Sequence, residues 1–164
     1  MKNNIVIVTI VKVDQPAIKD TIKHSIKVLG DECNLNFIDT ELITNMKYMF
    51  KYSEFNGDIS GWDVGNVTDM RYMFYGSKFN GDISNWNVEN VIGMRSMFNG
   101  SKFNGDISSW DVRNVTTMRC MFDGSKFNGD ISKWNVRNVT NMDFMFYGCP
   151  LESNKKFQPE FNKK

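Results

Sequence analysis

A six-residue string, FNGDIS, recurs four times, and its spacing constrains the fold more than any other feature of the chain. It begins at Phe55, Phe79, Phe103 and Phe127, always 24 residues apart. In an alignment of the four 24-residue units, fourteen columns are identical in all four. Periods of about 20 to 29 residues are typical of leucine-rich and related solenoids, in which each unit packs on its neighbours. The sequence therefore predicts an α/β solenoid.

Local signals predict one short parallel strand and one short helix in each unit. Residues 81–84 alternate between outward polar and inward apolar positions, which is typical of a strand. Met70, Met73 and Phe74 fall at i, i+3 and i+4, the spacing of one inward helical face. Gly76 is suited to end that helix, because glycine accepts the left-handed conformation. The expected coil is similar to that of a leucine-rich repeat.

The columns of large apolar residues are expected to form the core. Trp, Met and Phe recur at fixed places, and a large side chain repeated in every coil is best explained as a buried column. The tryptophans are Trp62, Trp86, Trp110 and Trp134. A column of asparagines is expected to form a buried ladder that satisfies turn backbone groups between coils. Its members are Asn66, Asn90, Asn114 and Asn138.

The repeat divides the chain into three segments of one structural domain. Residues 1–32 predict a strand over 5–13 and a helix that starts near Pro16 and ends at Gly30, together capping the solenoid. Residues 33–150 contain one partial and four full repeats, and residues 151–164 form a C-terminal cap and tail. Because this tail is expected to close the end of the array, a monomer is favoured.

The N-terminal segment also bears on the compartment. Residues 1–13 resemble a signal peptide in carrying Lys2 and an apolar run, but Asp14 and Pro16 follow where a small-residue cleavage site is expected. No segment reaches the length of a membrane span. The sequence alone therefore slightly favours a cytoplasmic location.

Composition argues against several classes of function. Lys and Arg number 20 and Asp and Glu 19, a net charge of +1, whereas nucleic-acid binders are usually far more basic. One histidine and three cysteines, without metal-ligand spacing, predict no metal centre and no cofactor. The chain carries no nucleophile–base motif, so we expect no catalytic residues and no enzymatic activity.

The columns on the predicted strand face are one candidate binding surface. Stacked aspartates about 4.8 Å apart would repel one another unless hydrogen bonds, lysines or a cation such as Ca²⁺ relieved them. Local relief is the favoured explanation, and calcium- or glycan-dependent binding is the alternative. The residues are Asp58, Ser60, Asp82, Ser84, Asp106, Ser108, Asp130 and Ser132.

The positions where the units differ from one another are the favoured candidates for binding a protein partner. They face outward from the predicted helices and carry Arg and Tyr, which are enriched in interface hot spots. A purely structural or assembly role is the other alternative. The candidate ligand-binding residues are Tyr48, Arg71, Tyr72, Tyr75, Arg95, Arg119, Phe144 and Tyr147.

The repeat resembles a known family. Its core reads FNGDIS-x-W-[DN]-V-x-N-V-[TI]-x-M-x-x-M-F-x-G-[SC] and covers residues 33–151. This pattern resembles the tandem repeats of a mycoplasma-type surface-protein family of unknown function, which is similar to BspA-like leucine-rich-repeat surface antigens. The resemblance implies a non-enzymatic binding solenoid, often on the cell surface of bacteria that live on hosts.

Overall fold

A computed structural model of the protein describes residues 10–161. Within that range, regular secondary structure is concentrated near the two ends. Strand β1 (Val11–Lys12), helix α1 (Ile18–Leu29) and strand β2 (Ile38–Asp39) come first, and two 3₁₀ helices, Pro150–Glu152 and Lys155–Phe157, come last. Over residues 10–161, no helix has the length and apolar character needed to cross a bilayer.

The N-terminal segment is a βαβ unit. β1 pairs in parallel with β2, with Val11 opposite Ile38. The predicted helix is confirmed as α1, whose buried face includes Ile18 and Ile22. Gly30 ends it at φ 91° and donates its N–H to the carbonyl of Ile26 at 2.8 Å.

The predicted N-terminal strand differs from the structure. Residues 5–9 lie outside the described range, and in β1 both Val11 and Lys12 are exposed rather than buried. The sheet has two strands, so β1 is an edge that no second layer covers.

The 24-residue units lie beside one another in parallel register. We refer to the partial unit (33–54) and the first to fourth units (55–78, 79–102, 103–126 and 127–150). Isolated parallel bridges join the same column through all five, namely Asn45, Asp69, Gly93, Thr117 and Asn141. Each unit is therefore hydrogen-bonded to the next, residue i to residue i+24.

The short helix predicted in every unit is absent from residues 33–150, where a run of tight turns takes its place. We call residues 69–77 and their equivalents the turn run. In it, the N–H groups of Met70, Tyr72, Phe74 and Gly76 donate to carbonyls of the following unit at 2.7–3.0 Å. The amides between them close turns three residues back, as from Met73 to Met70 at 3.2 Å.

Backbone conformation explains why a helix does not form there. Tyr72 and Gly76 have φ of 60° and 62°, in the left-handed region that interrupts a right-handed helix. A helix of this length would also be unstable alone, because its nucleation is costly. Bonds to the neighbouring units satisfy the same donors without a helix.

The strand expected at residues 81–84 is likewise absent from the second unit. The FNGDIS segment is held instead by a ladder of asparagine side chains. Asn56 Oδ1 accepts the N–H of Asn80 at 2.8 Å, and Asn80 Oδ1 accepts that of Asn104 at 2.7 Å. The side-chain carbonyl thus does the work of a strand partner.

The predicted aromatic core is confirmed. Each of the four tryptophans is 4% exposed. Each indole N–H donates at 3.0–3.2 Å to a buried carbonyl of the preceding unit, as from Trp86 to Ile59. Phe74 stacks on Phe98 with ring centroids 5.5 Å apart and planes 3° from parallel. Such pairs add about 0.5–1.5 kcal/mol each beyond area burial.

The asparagine column that was expected to be buried is exposed. Its role between units is nevertheless as expected, because each side-chain amide donates to a carbonyl of the preceding unit. The amide of Asn90 reaches the carbonyl of Gly65 at 2.7 Å, and that of Asn138 reaches Arg113 at 2.7 Å. Water satisfies the rest of each amide, so burial is unnecessary.

The last unit is closed on one side by the C-terminal segment. The N–H of Leu151 donates to the carbonyl of Phe127 at 3.3 Å, and that of Ile131 donates to Phe157 at 2.9 Å. Leu151 is fully buried. The carboxylate of Glu152 accepts the N–H of Gly148 at 2.9 Å.

Candidate binding surface

Side chains from α1, the partial unit and the first two full units meet on one exposed surface. We call this group the aromatic–cationic cluster. Its aromatic members come from two neighbouring turn runs, and its cations come from three elements of the chain. The members are Tyr48, Tyr52, Tyr72, Tyr75, Lys19, Lys47, Lys51 and Arg95.

The four tyrosines contact one another in a continuous row. Tyr48 stacks on Tyr72 with centroids 5.0 Å apart, because the two occupy the same column of adjacent units. Tyr72 lies 6.0 Å from Tyr75, and Tyr75 meets Tyr52 edge to face at 5.2 Å. Tyr52 is the most exposed of the tyrosines reported as exposed, at 65%.

Basic groups lie over the tyrosine faces. The ammonium groups of Lys47, Lys51 and Lys19 are 4.8, 5.2 and 5.9 Å from the ring centroid of Tyr48. The guanidinium of Arg95 is 5.7 Å from the ring of Tyr72. These distances fall within the range of cation–π attraction.

Arg71, a predicted site residue, is held by an ion pair beside the cluster. Its side chain and backbone both donate to the carboxylate of Asp69, and the shortest contact is 2.5 Å. Burial acts to raise the pKa of Asp69, but the hydrogen bonds from Arg71 outweigh it and lower that pKa. Arg71 is therefore compensated and less free to bind a ligand.

Tyr52 occupies a strained backbone position. It stands at φ 56° in the column that is Gly76, Gly100, Gly124 and Gly148 in the full units. A side chain there costs about 1–2 kcal/mol of backbone energy relative to glycine. The neighbouring Tyr52 is the main influence that raises the pKa of Tyr75, followed by partial burial and the charge of Asp123.

The other predicted binding residues lie apart from the cluster. Phe144 and Tyr147 form a separate edge-to-face pair in the fourth unit, 6.0 Å between centroids, and each is 60% exposed. Arg119 is half-buried, and its Nε has no hydrogen-bond partner among residues 10–161. The structure thus brings together Tyr48, Tyr72, Tyr75 and Arg95, and adds Tyr52 and three lysines that were not on the candidate list.

The aspartates of the alternative surface are engaged locally. In each, one carboxylate oxygen accepts the N–H of the serine two residues later, at 2.9 Å for Asp58, Asp82 and Asp106 and 3.0 Å for Asp130. The hydrogen bond from Ser84 N–H is the main cause that lowers the pKa of Asp82. Hydrogen bonds to backbone therefore relieve this column.

Comparison with known proteins identifies the family. The family model described as "Mycoplasma protein of unknown function, DUF285" matches residues 23–125 and 76–159, most of the chain. The chain belongs to this family. No curated protein and no solved structure matches it. The resemblance to a mycoplasma family expected from the repeat motif is thereby confirmed.

A second surface of the DUF285 repeats was missed by sequence reasoning. A shallow groove of about 550 Å³ follows the exposed threonine column and is lined by Asn66, Thr68, Asn90, Ile92, Asn114 and Thr116. Ile92 is 52% exposed where the other units have Thr. That substitution is the sequence signal that could have drawn attention to the groove.

Proposed function

We propose that this DUF285 chain is a non-enzymatic protein-binding module that presents the aromatic–cationic cluster to a partner. The observation that carries the proposal is the meeting of four tyrosines and four cations on one exposed surface. Tyr and Arg are enriched among the residues that dominate interface energies. Tyrosines that already pack on one another also lose little side-chain freedom on binding.

The scaffold of this module, in our proposal, is a solenoid of stacked 24-residue coils. The support is the bridge column that runs from Asn45 to Asn141 at an interval of 24 residues. In such an array, the coils hold the cluster on rigid neighbours. A surface or adhesion role is part of the proposal, and it rests on the resemblance of the repeat to BspA-like surface antigens.

The environments of the candidate nucleophiles support a non-enzymatic role. Burial raises the pKa of the Cys149 thiol and that of Cys33, which disfavours the reactive thiolate. His24 lies on an exposed part of α1. Neither feature is typical of an activated nucleophile and its base.

A pair of matched substitutions tests the proposed surface. Tyr72→Gly removes a cluster ring at φ 60°, and Phe144→Gly removes a ring from the same column at φ 56° in the fourth unit. Both variants relieve a left-handed non-glycine residue, so their backbones are affected alike. Native lysate is passed over immobilised wild type and both variants, and partners are quantified by mass spectrometry.

We expect Tyr72→Gly to reduce retention of the partner by about tenfold or more, as loss of a hot-spot residue does. Phe144→Gly should retain the partner at the wild-type level. Circular dichroism confirms that both variants fold. Equal retention by the two folded variants would contradict the proposal, because it would place binding outside the cluster.

A further inference from the structure

We infer that the aromatic–cationic cluster recognises an acidic segment of its protein partner, with carboxylates bound by the cluster's cations; this rests on the proposed function. The inference specifies the chemistry of the ligand. Three observations carry it, namely uncompensated charge, the arrangement of the cations on the rings, and the retention of a strained tyrosine.

The cations of the cluster lack acidic partners within residues 10–161. The ion pairs in that range are Arg71 with Asp69, Lys78 with Glu54 and Arg113 with Asp111, and none involves Lys19, Lys47, Lys51 or Arg95. Three ammonium groups lie within 6 Å of the Tyr48 ring, so like charges are concentrated there. An incoming carboxylate lowers this repulsion.

The arrangement of the rings favours a carboxylate over a stacking ligand. Tyr48 is packed against Tyr72 at 5.0 Å and has ammonium groups over its ring. A sugar or a nucleobase needs an open aromatic face on which to stack. An ammonium group over a ring still points N–H donors toward solvent, where they can bind carboxylate oxygens.

Tyr52 indicates that the cluster has a role beyond packing. It is a 65% exposed aromatic residue at φ 56°, in a column where four other units have glycine. Exposed position and backbone conformation both favour glycine there, so stability does not account for the tyrosine. Its ring has Lys51 at 5.1 Å, and Lys51 also lies 5.4 Å from the ring of Tyr75. Tyr52 therefore helps to place one of the cations.

Fluorescence anisotropy with synthetic probes tests the inference. The probes are a short labelled peptide of alternating Glu and Ser, its Gln–Ser counterpart, a heparin oligosaccharide and a single-stranded DNA oligonucleotide. The proteins are wild type, Lys51→Glu, Tyr52→Gly and the control Lys126→Glu. Lys126 is exposed, forms no ion pair within residues 10–161 and lies two units beyond the first full unit.

We expect the acidic peptide to bind wild type and to bind more weakly as salt increases. Lys51→Glu should weaken binding by about tenfold and Tyr52→Gly by about threefold, while Lys126→Glu stays within about twofold. The Gln–Ser peptide should not bind. Tyr52→Gly is expected to fold, because glycine is the residue of that column in the full units.

Three results would overturn the inference: no binding of the acidic peptide, equal weakening by Lys51→Glu and Lys126→Glu, or tighter binding of heparin or DNA. These failures are distinct from failure of the proposed function. If Tyr72→Gly still loses the native partner, the cluster is a protein-binding surface whose ligand is not acidic. If capture of the partner does not depend on Tyr72, the proposed function itself fails.

Discussion

Glycines of the repeat are required for two different physical reasons. At Gly57, an added Cβ would lie 1.9 Å from the carbonyl oxygen of Cys33, so the backbones of adjacent units touch there. At Gly124, φ is +63° and no atom lies within 4 Å of the added Cβ. The first position requires close approach between units, and the second requires only the left-handed backbone.

This difference predicts unequal costs for the same substitution. Gly124→Ala should lower the free energy of unfolding by about 1–2 kcal/mol, the cost of a left-handed alanine. Gly57→Ala should lower it by about 3 kcal/mol or more, because a backbone atom must move. Urea denaturation of both variants measures the two values. Similar losses in the two proteins would contradict the assignment.

Individual side chains were predictable where the columns are identical and not where they vary. Trp86 and Phe98 repeat in every full unit, and a large apolar residue that repeats indicates a buried column. Tyr72 shares its column with Ser96 and Cys120, so no common residue type signals their common left-handed φ. Tyr52 was missed because it differs from the glycines with which it aligns.

At the scale of the element, the success of the sequence analysis depended on length. Helix α1 has 12 residues and an apolar stripe of helical period, and it forms as predicted. The turn run has the same i, i+3, i+4 pattern over Met70, Met73 and Phe74, but this pattern also suits successive turns. Over so short a segment, bonding to neighbouring units decides the conformation, and no local pattern reports it.

The aspartate turns of the FNGDIS segments predict how stability depends on pH. Their pKa values are lowered, with the serine N–H the main cause, as at Asp82 and Asp106. A lowered folded pKa contributes stability above the unfolded value of about 3.9, and this is lost as pH falls through the folded pKa. The free energy of unfolding of wild type should therefore decrease from about pH 5 downward.

The double variant Asp82→Asn, Asp106→Asn should show a shallower decrease in the same acid range. Asparagine keeps the turn without a titrating group, as Asn87 does by accepting the N–H of Glu89 at 3.1 Å. Urea denaturation at a series of pH values measures both slopes. If the variant and wild type had the same slope, other carboxylates would control acid stability.

At the scale of the whole molecule, the repeat period determined what could be predicted. The interval of 24 residues predicted parallel neighbours, and the bridges from Asn45 to Asn141 have that spacing. The way in which the last unit is closed was not predictable in detail, because the polar tail has no repeat. Its bonds, such as Ile131 to Phe157, join residues 26 apart, outside the register of the units.

Removal of one full unit should leave a folded protein. Deletion of residues 79–102 joins Lys78 to Phe103 and preserves every column. In an array stabilised by nearest neighbours, the variant should unfold cooperatively with a lower urea m-value, because less surface is exposed on unfolding. Deletion of residues 79–90 breaks the register and should prevent folding. Equal stability of the two deletion variants would exclude a register of 24 residues.

Because the amides of the turn runs all donate toward the following unit, the two ends of the molecule differ electrically. Carbonyls of the partial unit face one end, where Gln15 satisfies that of Asn45 at 2.7 Å and the lysines gather. Amides of the fourth unit face the other, where Glu152 accepts from Gly148 and Asp143 replaces the arginine of earlier units. Aligned peptide dipoles favour cations at the carbonyl end and anions at the amide end, as in a helix. Evolution can therefore lengthen or shorten the array by whole units while its positive and negative poles stay chemically unchanged.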